Sequence, residues 1–575
     1  MSKSYNIFSQ WRRYGLCGLC CMAIIMPVMA QKMVYLEHCE TLNFDQKRLR
    51  DAQILRGNVR FRHEDALMFC DSAYFYEATN SFDAFGHVRF EQGDTLQGFG
   101  DVLYYDGNTQ LARLRHNVRL IHKHTVLTTD SLNYDRPRNL AYYLAGGTIQ
   151  DDVNLLSSVW GEYGPATYRA VFRDAVHLQN ESFTLDADTL IYNTQTNVAQ
   201  LVSPTEIVYE GETTILSSNG WYNTETEQSM LLDSSLIIHG NGKTLTGDTI
   251  FYDKHIGVGN VYGHMVLNDT VQKMSLCGNY GIVYEKEQGG FATDSAYMLD
   301  WSQPNKSYIH ADTLFTEQVP YQHLILSPRD SILQDSAWVI TQYDSQYVDS
   351  TYRRVRAFFH VRAYSNDYQV VCDSMVYIGL DSTATMYHEP VCWSDDNQIS
   401  ADTIFIYLRN GTIDYVHGVG SALGVKQEGE EEFDQLSGKE MKAFIRDGEL
   451  KEVQVSGNAE TVFYPRNDDS TYVGVNKSQS SYVNLYLENN KIHHVRFTTT
   501  TTGTLYPLDQ IKPEETRLVG FFWAVQERPA NPQDIFNRPE RTIRPVQKSI
   551  SATDDEDEEE NKPRKTSKLN NRHKK

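Results

Sequence analysis

Two short motifs alternate along this chain with a period of about thirty residues, and the repeat limits the fold more than any other property of the sequence. The first motif places a valine after a pair of small or polar residues. Its first three copies end in Val59, Val88 and Val118, which are 29 and 30 residues apart (88 − 59 = 29; 118 − 88 = 30). A fixed period of this length indicates a repeat architecture in which each unit packs against its neighbours.

The second motif starts with aspartate and lies between the copies of the first. Residues two and four after each aspartate are apolar or aromatic, which is the period of a β-strand with one buried face. The copies are Asp71–Phe75, Asp101–Tyr105, Asp130–Tyr134, Asp188–Tyr192, Asp248–Tyr252, Asp373–Tyr377 and Asp402–Ile406.

Turn signals between the motifs predict two strands of about eleven residues in each repeat. Gly57, Gly86 and Gly100 lie in mid-strand, where glycine often marks a sharp bend. We therefore expect an all-β fold, an elongated, slit-like β-jelly roll or flattened β-solenoid of stacked bent antiparallel hairpins. Such a stack encloses a continuous interior between two sheet halves, and its ends expose strand edges that invite pairing.

The first thirty residues are typical of a signal peptide. Lys3, Arg12 and Arg13 precede an apolar run from Leu16 to Met29, which is shorter than the ~20 residues of a membrane-spanning helix. Val28 and Ala30 suit cleavage before residue 31, so we expect an exported protein.

The rest of the chain divides by composition and by the phase of the repeat. The segment 317–353 is polar and loses the phase, and the end of the chain is rich in proline and charge, which predicts disorder. Phe521, Phe522 and Trp523 are expected either to complete the last repeat or to dock on a partner. The predicted divisions are 1–30 signal peptide, 31–316 first β region, 317–353 insertion or linker, 354–506 second β region, and 507–575 mostly disordered tail.

Composition argues against several functions. A formal net charge of −22 is unfavourable for binding nucleic acid, because phosphate binding depends on lysine and arginine. Beyond the leader, five widely scattered cysteines favour neither a disulfide framework nor a zinc site. Catalytic motifs such as a nucleophile elbow, a phosphate loop or a zinc-binding helix are missing, so we expect no catalytic residue, metal site or cofactor.

The histidines and periodic aspartates are the remaining candidates for chemistry. His493 and His494 are neighbours, and neighbouring side chains of a strand point to opposite faces, which disfavours one shared metal site. The aspartates could be calcium ligands or hydrolytic carboxylates. Their recurrence in every repeat favours a simpler interpretation, in which they are polar residues at bends.

The motifs resemble the repeats of the OstA/LptA family of lipopolysaccharide-transport proteins. Gly57-Asn58-Val59 and the segment Ala187–Tyr192 are close matches, and the resemblance extends over roughly 50–316 and 354–420, with weaker copies to about 506. It implies a slit-like β-jelly roll that shields acyl chains from water and joins related modules head to tail across the periplasm. A doubled bridge, or an adaptor to the outer-membrane translocon, fits the length of the chain.

The inward-facing motif residues are accordingly the predicted lining of a lipid groove. The tyrosines among them are either ordinary core residues or groove-lining rings with hydroxyls toward the rim. The candidates are Val59, Phe61, Phe75, Val88, Phe90, Leu103, Tyr105, Val118, Leu132, Tyr134, Leu190, Tyr192, Ile250, Tyr252, Met375 and Tyr377.

The resemblance implies a periplasmic protein, peripheral to the outer membrane, that carries lipopolysaccharide or another acylated amphiphile. Expected partners are related β-jelly-roll proteins or the outer-membrane translocon, paired through strand edges, and the same edges allow a head-to-tail homo-oligomer. Two alternatives stay open: a structural or adhesive envelope β-solenoid without ligand transport, and a carbohydrate-active enzyme.

Overall fold

A computed structural model describes residues 33–544, except 45–50, 210–211, 335–336, 468, 470 and 489–490, and without the side chains of 327–343. The described residues form antiparallel strands and a few short 3₁₀ helices, which confirms the predicted all-β fold. The predicted signal peptide and residues 545–575 lie outside the described residues. No helix in the described part is long and apolar enough to cross a membrane.

The chain divides into two compact units, Met1–Ala296 (unit 1) and Tyr297–Lys575 (unit 2). Unit 1 contains the 3₁₀ helix Glu77–Thr79 and the strands β1 Tyr35–His38, β2 Thr41–Asn43, β3 Gln53–His63, β4 Ala66–Tyr76, β5 Ser81–Gln92, β6 Leu96–Asp106, β7 Leu111–His122, β8 Thr125–Asp135, β9 Leu140–Tyr143, β10 Gly147–Gln150, β11 Leu155–Ser158, β12 Trp160–Gly164, β13 Arg169–Gln179, β14 Phe183–Asn193, β15 Val198–Leu201, β16 Thr205–Tyr209, β17 Thr213–Ser217, β18 Gly220–Asn223, β19 Gln228–His239, β20 Lys243–Asp253, β21 Val258–Asp269, β22 Met274–Tyr284 and β23 Gly289–Thr293.

Unit 2 has a longer strand pair near its start and three 3₁₀ helices near its end, Pro513–Thr516, Val525–Glu527 and Pro532–Phe536. Its strands are β24 Tyr297–Asp300, β25 Ser307–His310, β26 Thr313–Gln334, β27 Ala337–Tyr364, β28 Gln369–Ile378, β29 Thr383–Tyr387, β30 Val391–Ser394, β31 Asn397–Ser400, β32 Thr403–Arg409, β33 Thr412–Gln427, β34 Phe433–Arg446, β35 Glu449–Phe463, β36 Val475–Glu488, β37 Lys491–Thr498 and β38 Thr502–Tyr506.

The two sequence motifs meet at the bends of the strands. In the pairing of β3 with β4, Gly57 and Asn58 stand opposite the single residue Asp71, since Arg56 pairs with Ser72 and Val59 with Cys70. Two residues against one is a β-bulge, which bends the strand that carries the extra residue. Both bulge residues have positive φ, at 80° and 46°.

The aspartate of one motif holds the bulge of the other. At the bend of β21, Gly263 and His264 have φ values of 70° and 45°, and His264 Nδ1 lies 2.7 Å from Asp248 Oδ2. A Cβ at Gly263 would lie 2.9 Å from Asp248 Cβ, so only glycine fits there without displacing the aspartate. The bend of β5 repeats the arrangement with His87 and Asp71, also 2.7 Å apart.

Bent strands give unit 2 two sheet walls. Wall A follows the order β25, β27, β28, β30, β31, β33, β34, β35, β36 and β38. Wall B follows the order β26, β27, β28, β29, β32, β33, β34, β35, β36 and β37. Strands common to both walls cross from one to the other at a bend, so one face of each wall points inward.

The polar segment 317–353, expected as an insertion or linker, belongs to one long hairpin. The strands β26 and β27 pair from Thr313–Phe358 to Gln334–Ala337. Leu324, Leu326 and Tyr347 are exposed on this hairpin.

Residues 507–544, here called the strap, cross the outer face of wall A instead of being disordered. Gln398 on β31 donates through Nε2 to the carbonyl of Phe522 (3.0 Å), and its Oε1 accepts from the backbone N–H of Ala524 (2.9 Å). Gln435 on β34 makes the same two-bond contact with a neighbouring part of the strap. These two side chains satisfy hydrogen-bonding groups of the strap backbone. The strap has no repeat pattern, so its sequence did not predict these contacts.

Apolar contacts hold the strap on the same face. Leu518 packs with Val462 and Val475, and Ala524 packs with Val391 and Trp393. Phe521, Phe522 and Trp523 pack against Leu423, Val425 and Phe433. The outer face of wall A is therefore buried under a segment of the chain itself.

Replacing Gly263 with alanine tests the bend. Gly263→Ala should lower the free energy of unfolding by about 2–3 kcal/mol, because it combines strain at positive φ with overlap at Asp248. The matched control is Gly93→Ala, at a φ of 58° with open space around it, which should cost about 1 kcal/mol or less. Denaturant unfolding followed by circular dichroism measures both; equal losses would contradict the proposed role of the bend.

Replacing Gln398 with alanine tests the strap. Gln398→Ala removes the two hydrogen bonds to the strap and a third from Trp393 Nε1, and it leaves strap backbone groups unpaired, at a cost of roughly 1–3 kcal/mol for a buried group. We expect faster proteolysis within residues 507–544. The control Gln479→Ala removes an exposed bond to Glu460 and should leave the rate unchanged. A wild-type cleavage rate in Gln398→Ala would show that these bonds do not hold the strap.

Candidate functional site

The predicted groove residues of unit 1 lie in its core. None of them is more than 7% exposed. They are Val59, Phe61, Phe75, Val88, Phe90, Leu103, Tyr105, Val118, Leu132, Tyr134, Leu190, Tyr192, Ile250 and Tyr252.

The bulges in the pairings of β3, β4 and β5 divide the strands of unit 1 into two sheet halves, here called its walls. Rings from these two walls touch across the interior of unit 1. Phe61 follows the bend of β3 and Phe82 precedes the bend of β5, so they belong to opposite walls, yet their ring centroids are 4.1 Å apart. Phe90 and Tyr134 are likewise from opposite walls, with centroids 5.5 Å apart. In the described structure, these parts of unit 1 are packed solid instead of forming a groove.

Hydrogen bonds close the rim of unit 1 beside Tyr105. Its hydroxyl lies 2.7 Å from His63 Nδ1 and accepts from Arg136 Nη1 at 2.8 Å. Arg136 also donates to Asp65 at 2.8 Å, although its own side chain is buried. Burial raises the pKa of Tyr105 to about 12, so its phenol stays neutral and serves as a hydrogen-bonding group at the rim.

Unit 2 contains a cavity of about 1470 Å³ between its walls. Of the predicted groove residues, Met375 and Tyr377 line it. Near the bend of this region the walls approach each other, since Cys392 Sγ on wall A lies 3.7 Å from Met386 Sδ on wall B. Space between the walls opens toward the rim.

Wall B gives the cavity an apolar surface. Along β34 to β37 the alternate residues point inward, and many of them are only half-buried, as expected for the lining of an open space. Sequence reasoning missed these positions, although their period-two alternation beyond residue 420 could have found them. They include Met441, Ala443, Ile445, Leu450, Val453, Leu485, Leu487, Ile492, Val495 and Phe497.

Wall A carries a short row of four cavity-lining residues at the rim, three of them polar and one aromatic, here called the polar row. They are Lys426, Asp434, Phe463 and Asn476. Asp434 is buried, and its Oδ1 accepts from the backbone N–H of Tyr464 at 2.9 Å. Burial raises the pKa of Asp434 to about 7, against an ordinary value of 3.8. A carboxyl group that is half-protonated near neutral pH therefore lies in the cavity wall.

A loop between β24 and β25 covers one part of the rim. Asn305 in this loop donates to both oxygens of Asp367 at 2.8 Å, which anchors it to a turn of wall A. Gln303 reaches the turn of wall B at Gly411, where a Cβ would overlap its side-chain amide. The loop thus joins the two rims at this point.

The lining of the cavity is suited to an apolar ligand. Most of its surface is apolar, and many of its polar residues belong to turns at the rim. A mostly apolar lining is typical of sites that hold an apolar ligand. Among the residues that the structure describes, no three His, Cys, Asp or Glu side chains are grouped so that they could hold a metal ion.

Bent antiparallel hairpins with paired Gly and Asp motifs define a β-jelly-roll repeat protein. Residues 31–188 match the family model described as OstA-like protein, so this part of the chain is similar to an OstA-like domain. Among solved structures, the chain is similar to LptH from Pseudomonas aeruginosa, described as the LptA homologous periplasmic component of the lipopolysaccharide transport device, at 16% identity. The match covers 20% of this chain and 94% of that chain, with a TM-score of 0.18. A search of curated proteins gave no match.

The raised pKa of Asp434 predicts a pH-dependent stability. The folded protein holds a proton that the unfolded chain releases between pH 4 and pH 7, so the free energy of unfolding should fall as pH rises through this window. Asp434→Asn should remove this pH-dependent component. The stability of the variant relative to that of the wild type should therefore be higher at pH 8 than at pH 5. Melting temperatures of both proteins at the two pH values measure it; a constant difference between them would contradict a raised pKa.

Proposed function

We propose that this protein carries an acylated amphiphile, such as lipopolysaccharide, and that the cavity of unit 2 shields its acyl chains from water. The observation that supports this most is the cavity of about 1470 Å³ between two walls, one of which carries an apolar inner face along β34 to β37. Sites for drug-sized ligands measure roughly 300–1,000 Å³. The cavity therefore suits a longer apolar ligand.

Energetics favour a ligand with several chains. Each CH₂ group removed from water contributes about 0.8 kcal/mol, so a twelve-carbon chain gains on the order of 10 kcal/mol. Association costs an estimated 4–15 kcal/mol, and one chain offsets only the lower part of this range. Two or more chains in the same cavity would bind tightly without a strong head-group contact.

Unit 1, with its packed interior, would serve as a rigid module instead of a second lipid site. Strands β1 and β2 pair with β3 at one end of unit 1, and β37 and β38 are the last strands of the two walls of unit 2. Edges of this kind add strands from a partner, so we propose related β-jelly-roll proteins or an outer-membrane translocon as partners. The predicted signal peptide and the OstA-like domain support a periplasmic location.

A structural or adhesive envelope β-solenoid is the second candidate. The direct contact between the walls of unit 1, as at Phe61 and Phe82, favours it because a filled interior needs no ligand. The two functions imply different contents of the unit 2 cavity in the cell. A carrier would hold an acylated amphiphile there, whereas a structural protein would hold no such ligand.

Photocrosslinking in living cells distinguishes these functions. A photoreactive residue at Leu485, on the inner face of wall B, should capture an acylated amphiphile, whereas the same residue at the neighbouring Tyr486, on the outer face, should not. Leu132 in the packed core of unit 1 is a second control. Mass spectrometry of the adducts gives the result; lipid capture that is absent at Leu485, or equal at all three positions, would rule out the cavity as the lipid site.

A further inference from the structure

The two walls of the unit 2 cavity differ in chemistry at the rim. On wall B the inward residues nearest the turns are Ile445, Leu450 and Leu487, all apolar. Wall A presents the polar row instead: Lys426 pairs with Asp434 across β33 and β34, and Phe463 pairs with Asn476 across β35 and β36. The turns of wall B also bring polar residues to the cavity, such as Arg409 and Arg446. Among the inward residues of the strands, however, the hydrogen-bonding groups at this part of the rim belong to wall A.

We infer that this row is the head-group subsite of the cavity and that it takes an uncharged saccharide. The amphiphile then lies with its sugar against the rim of wall A and its alkyl chains against wall B. This inference rests on the proposed function, since it assigns the orientation of the ligand in the same cavity.

The side chains of the row suit sugar hydroxyls. The Asp434 carboxyl and the Asn476 amide are planar groups, and between them they can accept and donate hydrogen bonds to vicinal hydroxyls. Ser478 donates to Asn476 Oδ1 at 2.7 Å, which fixes the amide so that its NH₂ group is the end left for a ligand. Phe463 lies between these two residues and offers an aromatic ring to the apolar C–H face of a sugar.

Charge in this region disfavours a phosphate. Glu428 binds Lys426 and also accepts from Arg466 at 3.1 Å, so these two cations share one carboxylate. The adjoining loop adds further acidic residues at 430–432. An anionic head group would meet excess negative charge here, whereas an uncharged sugar would not.

Two amphiphiles with the same chain and different heads test the subsite. Decyl maltoside and decyl phosphate are titrated calorimetrically into the full-length protein, below their micelle concentrations. Wild-type protein should bind the maltoside about tenfold more tightly than the phosphate. Asp434→Leu and Asn476→Leu should each weaken maltoside binding about tenfold and change phosphate binding less than twofold.

The control is Leu485→Ala on wall B, which should weaken both ligands equally because it removes a contact with the chain alone. Asn476→Leu keeps the test valid if Asp434→Leu fails to fold. A wild-type preference for the phosphate, or an unchanged preference in both row variants while Leu485→Ala weakens both ligands, would overturn the subsite and leave the lipid cavity intact. Failure of both ligands to bind wild-type protein would overturn the two proposals together.

Discussion

Each long strand must turn a corner without losing the hydrogen bonds to its neighbours, and a carboxylate beside a bulge makes this turn possible. At the bend of β21 the bulge residues take positive φ, and Asp248 of the neighbouring strand bonds to His264 at the point where the ladder is interrupted. Pairs of residues with positive φ recur at other bends, such as Gly57-Asn58 and Gly86-His87, so the strands stack in register and each contributes to both walls. The interior between the walls is a consequence of this turn.

What fills the interior depends on the size of the inward side chains. In unit 1 large rings such as Phe61, Phe82 and Tyr105 reach across and close it, and they dominate the packing because each aromatic ring buries a large area. In unit 2 the inward-facing positions include the smaller residues Gly424, Ala443 and Val453, which leave space between the walls. The strap buries the outer face of wall A, so this wall has a packed side that does not depend on the cavity.

The sequence revealed the bends and the inward faces, because both are local. Gly57-Asn58 and Asp71 are recognisable as a pair of motifs, and alternation of residues identifies the buried face of each strand. The sequence could not reveal the distance between the two walls, because the alternation of residues indicates which way a side chain points and not how far away the facing wall lies. Thus Val59 and Met375 both occupy inward positions of the alternation, yet Val59 lies in a packed core and Met375 lines a cavity.

The strap escaped prediction for another reason. Its proline and charge content is that of a segment unable to form a core alone, and its order depends on distant partners such as Gln398 and Gln435, which nothing in the local sequence marks. The polar row of wall A was missed likewise, because Lys426, Asp434 and Asn476 come together only through strand pairing.

Crystals of the protein grown with a fatty acid brominated along its chain give the most direct measurement, because anomalous diffraction locates each bromine atom. The account predicts bromine peaks between walls A and B of unit 2, near Leu485 and Val453, and none within the core of unit 1 around Phe61. Bromine peaks on the outer surface alone, or a unit 2 interior filled by its own side chains, would contradict it.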